Sequence, residues 1–203
     1  MKAKPPIPTV AVGQQPKRRR GHIRVAAILA TGIEVFTEKG YDAATMTEIA
    51  ARSGTAIGSL YRFFPSKEVL ADALLLRYAQ QGIDGLAQLT ERAAGMTPDQ
   101  LATALVDVRL ALQSQRKFAN ALIDARGGNG VKRREFRDAM RAALAAVLRA
   151  AFPHLTKRHA EISAIVVLQI FKGMPNAGDE TPATLRLVLG EMRELMRVYL
   201  CSL

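Results

Sequence analysis

An all-α protein of about nine helices is the expectation for this chain, on three observations. Apolar residues recur at three- and four-residue spacing through most of the 203 residues, and strand-like alternation is absent. Helix starts and stops are written at regular intervals, as Thr45-Met46-Thr47-Glu48, Thr97-Pro98-Asp99, Lys39-Gly40 and Ser53-Gly54. The composition, 49% hydrophobic and 23% charged, is that of ordinary globular material with a core of its own.

The elements follow in order. Residues 1–20 carry Pro5, Pro6, Pro8, Gly13 and Pro16, then Lys17-Arg18-Arg19-Arg20. Seven Lys or Arg and no acid precede residue 25, too little apolar area to offset the ordering entropy, so a disordered basic arm is expected. Val25, Ile28, Leu29, Gly32, Val35 and Phe36 make the stripe of a first helix, 22–39, stopped at Gly40. Thr45 and Glu48 read as a capping box opening a two-turn helix that Gly54 closes. A third begins near Ala56, buries Leu60, Phe63 and Phe64, and ends at Pro65. Ser66 caps a fourth running toward Gly82. Helices near 97–115, 117–126, 131–151, 156–173 and 182–201 complete the chain.

A formal charge of +11 points to a polyanionic partner, with nucleic acid ahead of a membrane surface. The longest apolar stretch, Ala160 to Phe171, is too short to span a bilayer, and no signal-like run opens the chain, so a cytoplasmic, nucleoid-associated protein is expected. Cys201 stands alone, which fits a reducing compartment and offers no disulfide. The acids Asp107 and Asp124 and the three histidines (22, 154, 159) form no spacing for a metal or a catalytic base, so neither an enzyme nor a cofactor is expected.

Two short helices joined by a tight turn, with Ala50 four residues before Gly54, make a helix-turn-helix. The basic arm lies just upstream. The second helix of the pair exposes Ser59, Tyr61 and Arg62, groups suited to base edges and phosphates. The fourth helix opens with Ser66-Lys67, free amides and a cation where a phosphate binds well.

Between Arg24 and Leu74 stand Phe36, Gly40-Tyr41, Thr45, Ile49-Ala50, Gly54, Gly58-Ser59-Leu60-Tyr61, Phe64, Ser66-Lys67 and Leu70. In that pattern the segment resembles the DNA-binding domain of tetracycline-repressor-like (TetR-family) transcription regulators. The resemblance implies a homodimer paired through its last two helices, with a DNA-binding domain at 21–66 and a divergent helical ligand-binding and dimerisation domain at 67–203. It implies an operator of double-stranded DNA, a small-molecule effector and, most simply, repression. It also implies phosphate contacts from Tyr61 and Lys67, backbone contacts from Thr45 and Thr47, and groove contacts from Ser59 and Arg62, with Gly58 permitting close approach. Lys17, Arg18, Arg19 and Arg20 would add affinity from the arm.

Thr55-Ala56-Ile57 departs from the family's common Val-Ser-Lys. That leaves two readings open, a helix cap from Thr55 one residue early or Ile57 packing on a thymine methyl. Tyr78, Arg109, Phe118, Leu122, Phe171 and Met174 are the candidates for an effector pocket. Two rivals stand beside the regulator: a basic helical architectural protein that binds any duplex, and a small enzyme using Cys201 or a histidine.

Overall fold

Four threonines, Thr45, Thr97, Thr156 and Thr181, sit in extended backbone, each accepting a hydrogen bond from the amide three residues on. Each satisfies one of the amides a helix start leaves orphaned. At Thr97 the box is complete, because the Gln100 side chain accepts the Thr97 amide in return at 2.9 Å. At Thr45 it is only half made. The Thr45 hydroxyl accepts from the Glu48 amide at 3.2 Å, but the Glu48 carboxylate turns to Lys39 and Arg52, each within 2.8 Å. Two cations outcompete one backbone amide for that carboxylate.

The computed structural model describes residues 19–125, 130–175 and 180–203. Among them the helices are α1 (Arg19–Ala43), α2 (Met46–Arg52), α3 (Ile57–Phe63), α4 (Lys67–Arg92), α5 (Pro98–Ala111), α6 (Gln113–Ala125), α7 (Gly130–Ala151), α8 (Lys157–Gly173) and α9 (Pro182–Cys201), with no strand. The all-α expectation holds. Residues 1–18 of the expected arm, Lys17 and Arg18 among them, lie outside the described residues. Arg19 and Arg20 form the exposed first turn of α1 instead of belonging to an arm.

Two boundaries move. Gly40 does interrupt α1, at φ 77°, a left-handed conformation that glycine adopts freely, and one further turn follows to Ala43. Gly82 does not end α4. A Cβ there would lie 3.2 Å from Leu112 and 3.5 Å from Met140, so its bare backbone admits neighbouring side chains while the helix continues to Arg92.

The described chain divides into two compact units. One comprises residues 19–78 with 115–125 and 130–132. Its core is built from Ile28, Val35, Phe36, Ile49, Ala50, Leu60, Phe63, Phe64, Leu70 and Leu74, closed by Phe118, Ala119 and Leu122 of α6. The expected boundary at residue 66 therefore does not coincide with this unit. Leu70 and Leu74 of α4 pack on α1, where a Cβ on Gly32 would lie 3.3 Å from Leu74. The other unit comprises 79–114 with 133–175 and 180–203, around Leu86, Leu89, Leu101, Leu105, Leu144, Leu148, Val167 and Met196.

Candidate nucleic-acid interface

The turn between α2 and α3 is set by its backbone. Gly54 takes φ 62°, and the Thr55 amide donates to the Ala50 carbonyl at 3.0 Å. Ala50, 4% exposed, lies under the crossing of the two helices, where a larger side chain would push α3 away. Thr55 is buried and its hydroxyl reaches only the Ser53 carbonyl, at 3.5 Å. The cap from Thr55 is thereby excluded, and Ala56, at the N-cap position of α3, provides no side-chain cap.

A short helix held this way presents its two faces differently. Leu60 and Phe63 point inward at 0% and 3% exposure. Ile57, Gly58, Tyr61 and Arg62 are exposed, and Ser59 is half-buried. The Arg62 guanidinium sits 5.0 Å from the Phe63 ring centroid, which supports the cation without neutralising it. Nothing lies within 4 Å of a Cβ built on Gly58, and its φ is not positive, so neither packing nor backbone demands glycine there. Thr45 and Thr47 are exposed along the start of α2. The Thr45 hydroxyl, already an acceptor in the cap, keeps its proton to donate.

Lys67 behaves differently. Its ammonium donates to the carbonyls of Tyr41, Asp42 and Ala44 at 2.8, 3.1 and 3.0 Å and lies 4.5 Å from the Tyr41 ring centroid. An ammonium has three donors, and all three are committed. Lys67 is thus a clamp on the end of α1, a role that the expected phosphate contact leaves unexplained. Side-chain chemistry in the sequence carries no sign of it, because the acceptors are backbone carbonyls brought in by the kink at Gly40.

Ion pairs tie α1 to α2. Lys39 and Arg52 hold Glu48 from two sides, and Arg52 reaches Glu38 as well. The hydrogen bond from Lys39, aided by the charges of Lys39 and Arg52, holds the Glu48 carboxyl below the usual carboxylate range. Hydrogen bonding and attraction to Glu38, then to Glu48, raise the Arg52 guanidinium further.

The six candidate effector residues divide equally between the two units. Tyr78, Phe118 and Leu122 belong to the core around the helix-turn-helix, with the Tyr78 and Phe118 rings edge-on at 6.3 Å. Burial pushes the Tyr78 phenol up, which keeps it neutral. Arg109, Phe171 and Met174 belong to the other unit, where the Arg109 Nε donates to the Phe171 carbonyl at 3.3 Å. No cluster of three or more His, Cys, Asp or Glu with metal-ligand geometry occurs among the described residues, and no helix there is long and apolar enough to cross a membrane. Cys201 is exposed.

Residues 28–74 match the family described as bacterial regulatory proteins, tetR family. The HTH-type transcriptional activator FasR of Mycolicibacterium smegmatis is 41% identical over 70 residues, 34% of this chain and 30% of FasR. The HTH-type transcriptional repressor Rv3405c of Mycobacterium tuberculosis is 34% identical over 107 residues, 49% of this chain and 57% of that protein. The chain therefore spans less than two thirds of these curated relatives. Among solved structures, a TerR/AcrR-family transcriptional regulator from Aquifex aeolicus superposes with a TM-score of 0.66 at 22% identity, over 86% of this chain and 98% of the other. Salmonella enterica GusR does so at 0.66 and 22%, over 87% and 95%. At that identity the likeness concerns the fold.

Proposed function

We propose that this chain, a TetR-family regulator by its N-terminal helices, is a repressor that binds a near-palindromic operator as a dimer and is released by a small-molecule effector. The observation that carries the reading is the outer face of α3. Ile57, Gly58, Ser59, Tyr61 and Arg62 leave an apolar contact, a bare backbone, two hydroxyls and a cation on one short helix, the mixture a major groove reads. Thr45 and Thr47 donate to the phosphate backbone beside it, and Arg19 and Arg20 add charge from the first turn of α1. Tyr61, 46% exposed, supplies a phosphate contact through its hydroxyl.

Dimerisation through α8 and α9 is supported by what those helices leave uncovered. Ile162 of α8 is 51% exposed, and Leu187, Leu195 and Val198 of α9 are 73%, 52% and 52% exposed. Spacings of eight and three residues keep the α9 group on one side of its helix, while Leu189, Met196 and Leu200 face the core. An isologous contact there would set two α3 helices about one DNA turn, roughly 34–36 Å, apart. An effector in the C-terminal unit then acts by linkage: whatever it gains in one arrangement of the heads, the operator loses.

Gel-shift titration of Tyr61→Phe and Arg62→Ala against a bound duplex tests the assignment. Each change should weaken binding by about 1–3 kcal/mol, and Arg62→Ala should also relax sequence preference. Unchanged affinity in both variants would remove α3 from the interface. Equal affinity of the parent for random duplex would leave the architectural reading instead.

A further inference from the structure

Arg109 lies on α5 with 5% of its surface exposed. Its Nε donates to the Phe171 carbonyl in the last turn of α8, whereas Nη1 and Nη2 are shut off from solvent and have no partner among the described residues. Leu105 and Val106, one turn before it on α5, and Phe171 and Met174 all belong to the apolar core of this unit. Asp107, the acid two positions before it, points to Arg193 at 3.7 Å and is itself largely exposed. A guanidinium keeps its charge at any working pH, and a buried charge is ordinarily paired. A lone one weakens the fold, so its retention calls for a use.

The geometry points to Arg109 as the anchor for the acid group of the effector, and we propose that the effector is a lipophilic monocarboxylate. This rests on the ligand-responsive reading above and names its ligand class. With Nε spent on a carbonyl, the Nη1–Nη2 edge offers two parallel N–H donors, a fork that matches the two oxygens of a carboxylate. The carbonyl end of α8 steadies the cation without cancelling its charge. The apolar chemistry of those core residues suits the hydrocarbon body of such a molecule. Five further buried polar atoms of the same unit lack a partner among the described residues, Gln113 Nε2 and Ser163 Oγ being two of them. Gln113 opens α6, four positions after Arg109 and past the end of α5, and Ser163 lies eight positions before Phe171 on α8.

The test is thermal denaturation of the full chain with straight-chain monocarboxylates from butanoate to hexadecanoate, the alcohols of equal length, octyl phosphate and inorganic phosphate. One or more acids should raise Tm, by about 5–10 °C at a hundredfold excess over Kd, and the matching alcohol should not. Arg109→Met should lose that shift while its ligand-free Tm stays level or rises, because a buried unpaired charge has been replaced by an apolar side chain. Three outcomes would overturn the proposal: no acid shifts Tm, acid and alcohol act alike in both proteins, or only a phosphate acts. A fall in the ligand-free Tm of Arg109→Met would likewise assign Arg109 to holding Phe171. Binding of the parent to a selected duplex, measured alongside, separates the failures. Its loss would refute the regulator, while its presence without an acid effect would refute only the ligand class.

Discussion

Replacing Lys67 with methionine keeps the aliphatic stem and removes one ammonium. Three carbonyls, those of Tyr41, Asp42 and Ala44, then lose donors at 2.8–3.1 Å, and the Tyr41 ring loses its cation. Hydrogen bonds to a charged group contribute about 1.5–3 kcal/mol each when buried. Lys67 is only half-buried and water can reach the Asp42 carbonyl, so a total of about 2–3 kcal/mol is expected in place of the simple sum. For a chain of this length that is a Tm lower by roughly 4–12 °C. The second readout is the salt dependence of DNA binding. A phosphate contact contributes a slope of about −0.9 in log K against log salt. The clamp predicts a lower Tm with that slope unchanged, because the ammonium is occupied before DNA arrives. A slope shallower by about one unit with no loss of stability would refute the clamp and restore Lys67 to the phosphate.

Gly58→Ala should stabilise the free protein by about 0.5–1 kcal/mol, since a methyl there meets nothing and restricts the unfolded chain, yet weaken operator binding about tenfold or more; paired denaturation and gel-shift titrations check both. Glu48 has its folded pKa lowered by Lys39 and Arg52, so its contribution is complete above the ordinary value of 4.5 and is lost as pH falls below it. Urea titrations from pH 3 to 7 should show Glu48→Gln with a shallower loss of stability in acid than the parent. The double change Leu187→Glu, Leu195→Glu should leave the subunit folded, because both side chains are more than half exposed, and shift sedimentation from dimer to monomer.

Local signals decided what could be read in advance. Thr97-Pro98-Asp99 starts α5 within its own four residues, and the stripe from Val25 to Phe36 needs only helical periodicity, so both are legible. The α3 face was legible for the same reason, since inward Leu60 and Phe63 fix where Tyr61 and Arg62 must point. Illegible features depend on distant partners. Gly82 reads as a helix end until Leu112 and Met140 are seen against it. Phe118 and Leu122 read as pocket candidates, but they close the core under the helix-turn-helix. Lys67 reads as a phosphate ligand because its three carbonyls leave no mark in side-chain chemistry. Glu48 completes a capping box on paper and loses it to two cations that arrive from α1 and from its own last turn.

The central claim is that α3, presented twice by a dimer, reads a defined DNA sequence. Selection of bound duplex from a random pool, followed by competition with unselected DNA, tests it most directly. The account predicts an enriched inverted repeat with half-sites about one helical turn apart and affinity at least about a thousandfold above random duplex. A pool that stays unenriched, with selected and random duplex competing equally, would contradict it.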